Sequence, residues 1–204
     1  LAGAGVARVR QPLSLPAGRL VELSGVEGRA ARTTAALCVV AHAQRAGEPA
    51  AWIQPEGGGL FPPDAAEAGV DLDALVVVHV PRGAKGAKTA AGQAAGLARA
   101  AELLLRSGGF GAVVLDLRGG VPAGEAWQGR LAGLARQHEC YLIVITEESA
   151  QGSAVGPLVA VRLRPTRRRE TDGAFLLEAE VLRNKSARAV EPEPQHLRPP
   201  RGAP

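Results

Sequence analysis

Gly18 to Thr34 reads Gly-Arg-Leu-Val-Glu-Leu-Ser-Gly-Val-Glu-Gly-Arg-Ala-Ala-Arg-Thr-Thr. An apolar stretch enters a glycine-containing loop and leaves into the start of a helix. A chain that makes this strand–loop–helix turn is committed to an α/β arrangement around a phosphate-type loop. A competent loop has Gly, four residues, then Gly-Lys-Ser/Thr. Its N–H groups cradle phosphates, its Lys neutralises them and its hydroxyl holds Mg²⁺. Here Gly25 opens the loop and Thr33 or Thr34 offers the hydroxyl, but Ala31 and Arg32 stand where Gly and Lys belong. The spacing is also one residue too long. The pattern implies a nucleotide-binding ancestry together with a loss.

The rest of the chain supports the same class. Arg19–Ser24, Ala50–Gln54, Leu75–Val80, Ala112–Asp116 and Tyr141–Thr146 are short apolar runs of strand type. Helical stretches at Arg32–Ala46, Pro63–Ala68, Thr89–Arg106 and Gly124–His138 separate them. Strand–helix alternation predicts a mainly parallel sheet flanked by helices. The Val-rich run at 75–80 reads as a strand covered on both faces.

The pattern then changes. In Leu158–Arg164 and Ala174–Leu182, apolar and polar residues alternate, as in strands with one buried face. Pro165–Gly173 reads as the connecting loop, with Asp172-Gly173 as a turn signal. The expectation is an appended antiparallel hairpin, with Arg162 and Arg164 facing Glu178 and Glu180. Residues 1–14 read as a flexible lead-in, 15–188 as one domain and 189–204 as a Pro-rich disordered tail.

Composition sets limits. The 204 residues carry a net charge of +4, which permits contact with nucleic acid without requiring it. No apolar run is long enough to span a membrane, and no leader of the secretory type is seen. Cys38 and Cys140 fall in no metal or redox spacing and read as buried thiols, as expected of a cytoplasmic protein. The four His residues lack ligand spacing, so no metal site is expected, and with the phosphate-type loop degraded no cofactor is expected either. The chain begins at Leu1 and contains no Met, as expected of part of a longer protein.

Several segments, taken in order, resemble the RecA recombinase core over residues 15–188. They are Pro16–Leu23 before the loop, Trp52-Ile53-Gln54-Pro55-Glu56, Gly69–Leu75, Ala112–Asp116 and Arg183-Asn184-Lys185. The resemblance makes Asp116 the Walker B carboxylate and Glu56 the counterpart of the catalytic glutamate. It also exposes departures. Thr146-Glu147 replaces the family's polar switch, and Arg118–Gly124 and Glu147–Gly156 are short where a recombinase binds DNA.

Within the superfamily the chain is most similar to the ImuA proteins of bacterial mutagenesis cassettes, with the SulA-like division inhibitors as relatives. The resemblance implies a protein without catalytic residues, acting in damage-induced translesion synthesis. Its implied partners are the RecA recombinase and an ImuB-type polymerase-like subunit. Gly25, Arg32, Thr33, Thr34, Glu56 and Asp116 then form a degenerate nucleotide site. Weak DNA contact, or partner contact, is expected at Arg167, Arg168, Arg169, Arg183 and Lys185.

Bland alternatives stand beside these readings. Arg32 reads as a surface charge in a first helical turn. Asp116 reads as a bond to its own turn, and Glu56 as an exposed loop carboxylate. The arginines at 167–169, and Arg82, Lys85 and Lys88, read as solvated loops. Trp127, in helical register with Leu131 and Leu134, reads as a packing residue. Two further functional readings remain open: a weak ATPase in which Arg32 replaces Lys, and a division inhibitor acting on FtsZ.

Overall fold

The structure, a computed structural model, describes residues 13–26, 31–81, 89–148, 152–171 and 173–197. The loop centre at 27–30, the basic loop with Arg82, Lys85 and Lys88, Asp172 and the residues beyond 197 lie outside them.

Twelve elements follow one another among the described residues. They are β1 (Leu20–Gly25), α1 (Arg32–Arg45), β2 (Ala50–Pro55), α2 (Pro62–Glu67), β3 (Leu75–Val80) and α3 (Ala90–Ser107), then β4 (Ala112–Asp116), α4 (Ala126–Gln137), β5 (Tyr141–Glu147), β6 (Val161–Arg169), β7 (Phe175–Asn184) and β8 (Gln195–Leu197). They build one eight-stranded sheet in the order β3-β2-β4-β5-β1-β6-β7-β8. Strands β1 to β6 pair in parallel, and β7 and β8 add antiparallel. The expected α/β core with an appended antiparallel hairpin is present.

The sequence explains the layering. In a strand covered on both faces, odd and even side chains serve opposite layers. Val21 and Leu23 enter the core beside α1, while Leu20 enters the core beneath α3 and α4. Helices α1 and α2 thus cover one face, and α3 and α4 the other. Helix α3 is well delimited: Thr89 Oγ1 accepts from Gly92 N at 3.1 Å, and Gly108 ends the helix at φ 69°. Such a left-handed residue suits Gly.

Four expectations are corrected. Strand β3 is the edge of the sheet, and Val76 is 43% exposed, so its valines are not covered on both faces. Apolar composition reports a buried strand only when both neighbouring layers exist. Strand β6 extends to Arg169, so Arg167–Arg169 lie in a strand paired with Leu177, Leu176 and Phe175 rather than in a loop. Arg162 is buried, because β6 lies between β1 and β7. Residues 189–197 are not a free tail: Val190 is buried in the core and β8 pairs with β7. At the other end of the chain, Leu13 and Leu15 are buried, and Ser14 donates to the Glu191 carbonyl at 3.1 Å. The lead-in and the tail are therefore tied to each other where they meet the core.

Candidate functional site

Parallel α/β sheets bind ligands at the carboxyl ends of their strands, where successive connections leave on opposite faces. Here β1 leaves towards α1, whereas β4 leaves towards α4 on the other face. Gly25 lies beside Glu147 in the β1–β5 register, and Asp116 lies beside Ile145 in the β4–β5 register. The nucleotide-type residues expected from the sequence thus gather at one end of the sheet.

Arg32 is the first surprise. It is 4% exposed, not the surface charge that the bland reading expects. Its Nη1 donates to the Thr146 carbonyl at 2.5 Å and lies 3.0 Å from Glu147 Oε2. The first turn of α1 therefore sends its cation across to the end of β5. The cost of burying a guanidinium is offset by charge-assisted bonding, although Nε has no hydrogen-bond partner among the described residues. Thr33 and Thr34 are half-buried in the same turn. Ala31 at the N-cap offers no side-chain bond.

Asp116 is 2% exposed and fully engaged by Arg118. Arg118 donates from its backbone N–H at 3.1 Å and from Nε at 2.9 Å to Oδ1, and from Nη2 at 2.5 Å to Oδ2. This fork uses both carboxylate oxygens. The same guanidinium rests against the β2–α2 loop, where a Cβ on Gly59 would lie 2.8 Å from Nη2. Glu56 sits in that loop region, exposed at the turn after β2. Its backbone N–H donates to the Val80 carbonyl at 3.1 Å.

A buried carboxylate that sequence reasoning did not single out organises the other side. Glu22, on β1, is 0% exposed. It accepts from Thr146 Oγ1 at 2.8 Å, Ser153 Oγ at 2.5 Å and Ala154 N at 3.0 Å. Arg162 Nε lies 3.7 Å away and donates to Ser24 Oγ at 3.0 Å. Glu22 therefore ties the segment after β5 to the sheet. The available signal was an acid inside the apolar run Leu-Val-Glu-Leu. Similarly, the Asp-Leu-Arg spacing at 116–118 was the only hint of the Arg118 fork.

The basic residues expected to contact nucleic acid lie on the antiparallel side. Arg167 stacks on Phe175, with its guanidinium carbon 4.5 Å from the ring centroid. Arg168 lies 3.7 Å from Glu178 and 3.9 Å from Glu170. Arg169 is exposed. Arg183 pairs in register with Arg162, and Lys185 Nζ donates to the Pro157 carbonyl at 3.1 Å. Arg164 meets Glu180 at 2.7 Å as expected and also pairs with Glu148, whereas Arg162 turns to Glu22 rather than Glu178.

A nucleotide with Mg²⁺ is what such a fold implies at these strand ends. Mg²⁺ takes carboxylate and phosphate oxygens in a near-octahedral set. A guanidinium across both Asp116 oxygens sets a fixed cation in that position, and Arg32 is turned into the protein. Among the described residues, this arrangement leaves neither Asp116 oxygen unbonded for Mg²⁺. Among the described residues no group of His, Cys, Asp and Glu forms a metal cluster, and no helix is long and apolar enough to cross a membrane.

Comparison with known proteins locates the relatives. Residues 12–129 match the RecA N-terminal domain. Over 102 residues the chain is 40% identical to Protein RecA of Kineococcus radiotolerans and 38% identical to that of Bifidobacterium breve. Over 102 residues it is also 40% identical to Protein RecA of Paenarthrobacter aurescens. These matches cover 50% of this chain and 26%, 23% and 41% of the respective relatives.

Proposed function

Because this chain belongs to the RecA N-terminal domain family, yet bonds its own arginines to the groups that would hold nucleotide, we propose that it is an ATPase-deficient RecA-like adaptor of the DNA-damage response. It acts in the manner of the ImuA proteins it resembles, linking a RecA recombinase to an ImuB-type polymerase-like subunit during translesion synthesis. The observation that carries this reading is the double internal neutralisation, Arg118 on Asp116 and Arg32 on Glu147. An Arg in place of the loop Lys is not a conservative exchange, since the planar guanidinium requires a wider, forked site.

The retained sheet then serves as a scaffold. Its antiparallel side presents Arg167, Arg168 and Arg169, which supply partner contact and weak phosphate contact.

The test is a solution binding assay between this chain and a RecA recombinase, with and without ATP. Micromolar binding that survives Arg118→Ala and weakens at least tenfold on Arg167→Glu with Arg168→Glu is expected. No saturation at about 100 µM, a free energy weaker than about 5.5 kcal/mol, would overturn the adaptor reading. Inhibition of FtsZ assembly without recombinase binding would replace it with the division-inhibitor reading.

A further inference from the structure

On the face of the sheet that carries α3 and α4, a groove of about 550 Å³ runs between the two helices. Ala91, Ala95, Arg99, Glu102, Trp127 and Arg130 line it. Glu102 is buried at its centre and gathers three guanidinium groups. These are Arg106 Nη2 at 2.7 Å, Arg130 Nε at 3.2 Å and Arg99 Nη1 at 3.4 Å. One carboxylate cannot balance three arginines, so the groove keeps a net positive field. Arg99 and Arg130 remain mostly exposed. The alanines leave space for a backbone to approach closely. Trp127 is almost fully buried in the wall, and its indole N–H has no hydrogen-bond partner among the described residues.

We propose that this groove is a docking surface for an acidic peptide segment of a partner protein. Charge decides the occupant. Both ends of this chain outside the described residues are basic, with Arg8 and Arg10 before residue 13 and Arg198 and Arg201 after residue 197. Neither suits a cationic groove. A second copy brings a net charge of +4 and is disfavoured in the same way. Nucleic acid also fits poorly. Glu102 lies among the cations, and Trp127 sits in the wall rather than as a free stacking platform. An acidic amphipathic segment can place small apolar residues on the alanines and its carboxylates on Arg99 and Arg130, a helix-in-groove or extended mode. This surface is separate from the strand-end site and does not depend on the adaptor reading.

The experiment uses the full chain and a fluorescein-labelled Ala/Leu/Glu peptide of about 20 residues, long enough for helix formation. A Lys-for-Glu counterpart and a single-stranded oligodeoxythymidine serve as comparisons. Anisotropy is expected to give micromolar binding of the Glu peptide that weakens with salt, and Trp fluorescence is expected to change on binding. Arg99→Glu with Arg130→Glu is expected to weaken it at least tenfold. Ala95→Trp fills the groove while keeping Glu102 and its three arginines in the chain, and is expected to do the same in a variant with unchanged circular dichroism. Arg167→Glu leaves it unaltered. Equal binding of the Lys peptide, no binding of the Glu peptide, unchanged affinity in both groove variants, or oligodeoxythymidine binding lost in those same variants would each overturn the proposal.

Discussion

Glu22 joins β1 to β5 and to the segment at 152–156. It sits in β1 without solvent exposure, and Thr146, Ser153 and Ala154 donate to it. Removing a buried acceptor leaves its donors unsatisfied, which costs more than the net worth of the bonds themselves. Glu22→Ala is expected to destabilise the fold by about 3 kcal/mol in urea unfolding, and Glu22→Gln by about half of that, since one acceptor oxygen remains. A loss below about 0.5 kcal/mol in the Ala variant would show that the segment at 152–156 is held by other means. The two thiols give a second residue-level prediction. Burial pushes Cys140 up to about 12 and Cys38 up to about 11, from an ordinary 9.0. Raised folded-state values mean that the folded chain holds protons which the unfolded chain releases. The corresponding stability is full below pH 9 and is lost as pH rises through the range from about 9 to 12. At pH 8 neither thiol is expected to react with Ellman's reagent in the native protein, and both are expected to react in guanidinium.

At the scale of elements, the hairpin and its closing strand make the sharpest claim. Deleting residues 189–204 removes β8 from the β7 edge and takes the buried Val190 out of the core. Burial of one such side chain is worth about 2 kcal/mol, so the truncated chain is expected to unfold at a correspondingly lower urea midpoint. An unchanged midpoint would mean that the segment contributes nothing to the fold. The sequence concealed this strand because Glu-Pro-Glu-Pro offers no periodicity, and three residues of ladder leave no pattern to read. The central strands were legible for the opposite reason. Runs such as Ala112–Asp116 and Tyr141–Glu147 have unbroken apolar stretches bounded by turns, and their observed limits fall within a residue of those expected. Where the reading failed, at Arg32, Arg162 and β3, the deciding fact was which neighbour covers a face. Arg can be buried once a carbonyl or carboxylate meets it, and a Val-rich strand can end a sheet. Neither fact is written in local composition. Gly25, Arg32 and Asp116 were therefore legible as candidate positions, but not the ion pairs that join Arg32 to Glu147 and Asp116 to Arg118.

Over the whole molecule, the sheet order and the family match describe a recombinase-type core, while its strand ends are bonded inward. The span matched to the curated relatives is less than half their length. The two surfaces proposed for binding, the arginines of β6 and the groove between α3 and α4, are separate from the strand ends. The central claim is that Arg32 and Arg118 stand in for the ligands of the phosphate site. The most direct test is calorimetric titration of the chain with Mg²⁺ and a non-hydrolysable ATP analogue, alongside a thermal melt. The account predicts no saturable heat and no shift in Tm at about 1 mM analogue, because a ligand that does not bind the folded state cannot stabilise it. A dissociation constant below about 100 µM, with a raised Tm that Arg32→Ala abolishes, would contradict it and establish Arg32 as a phosphate-binding residue.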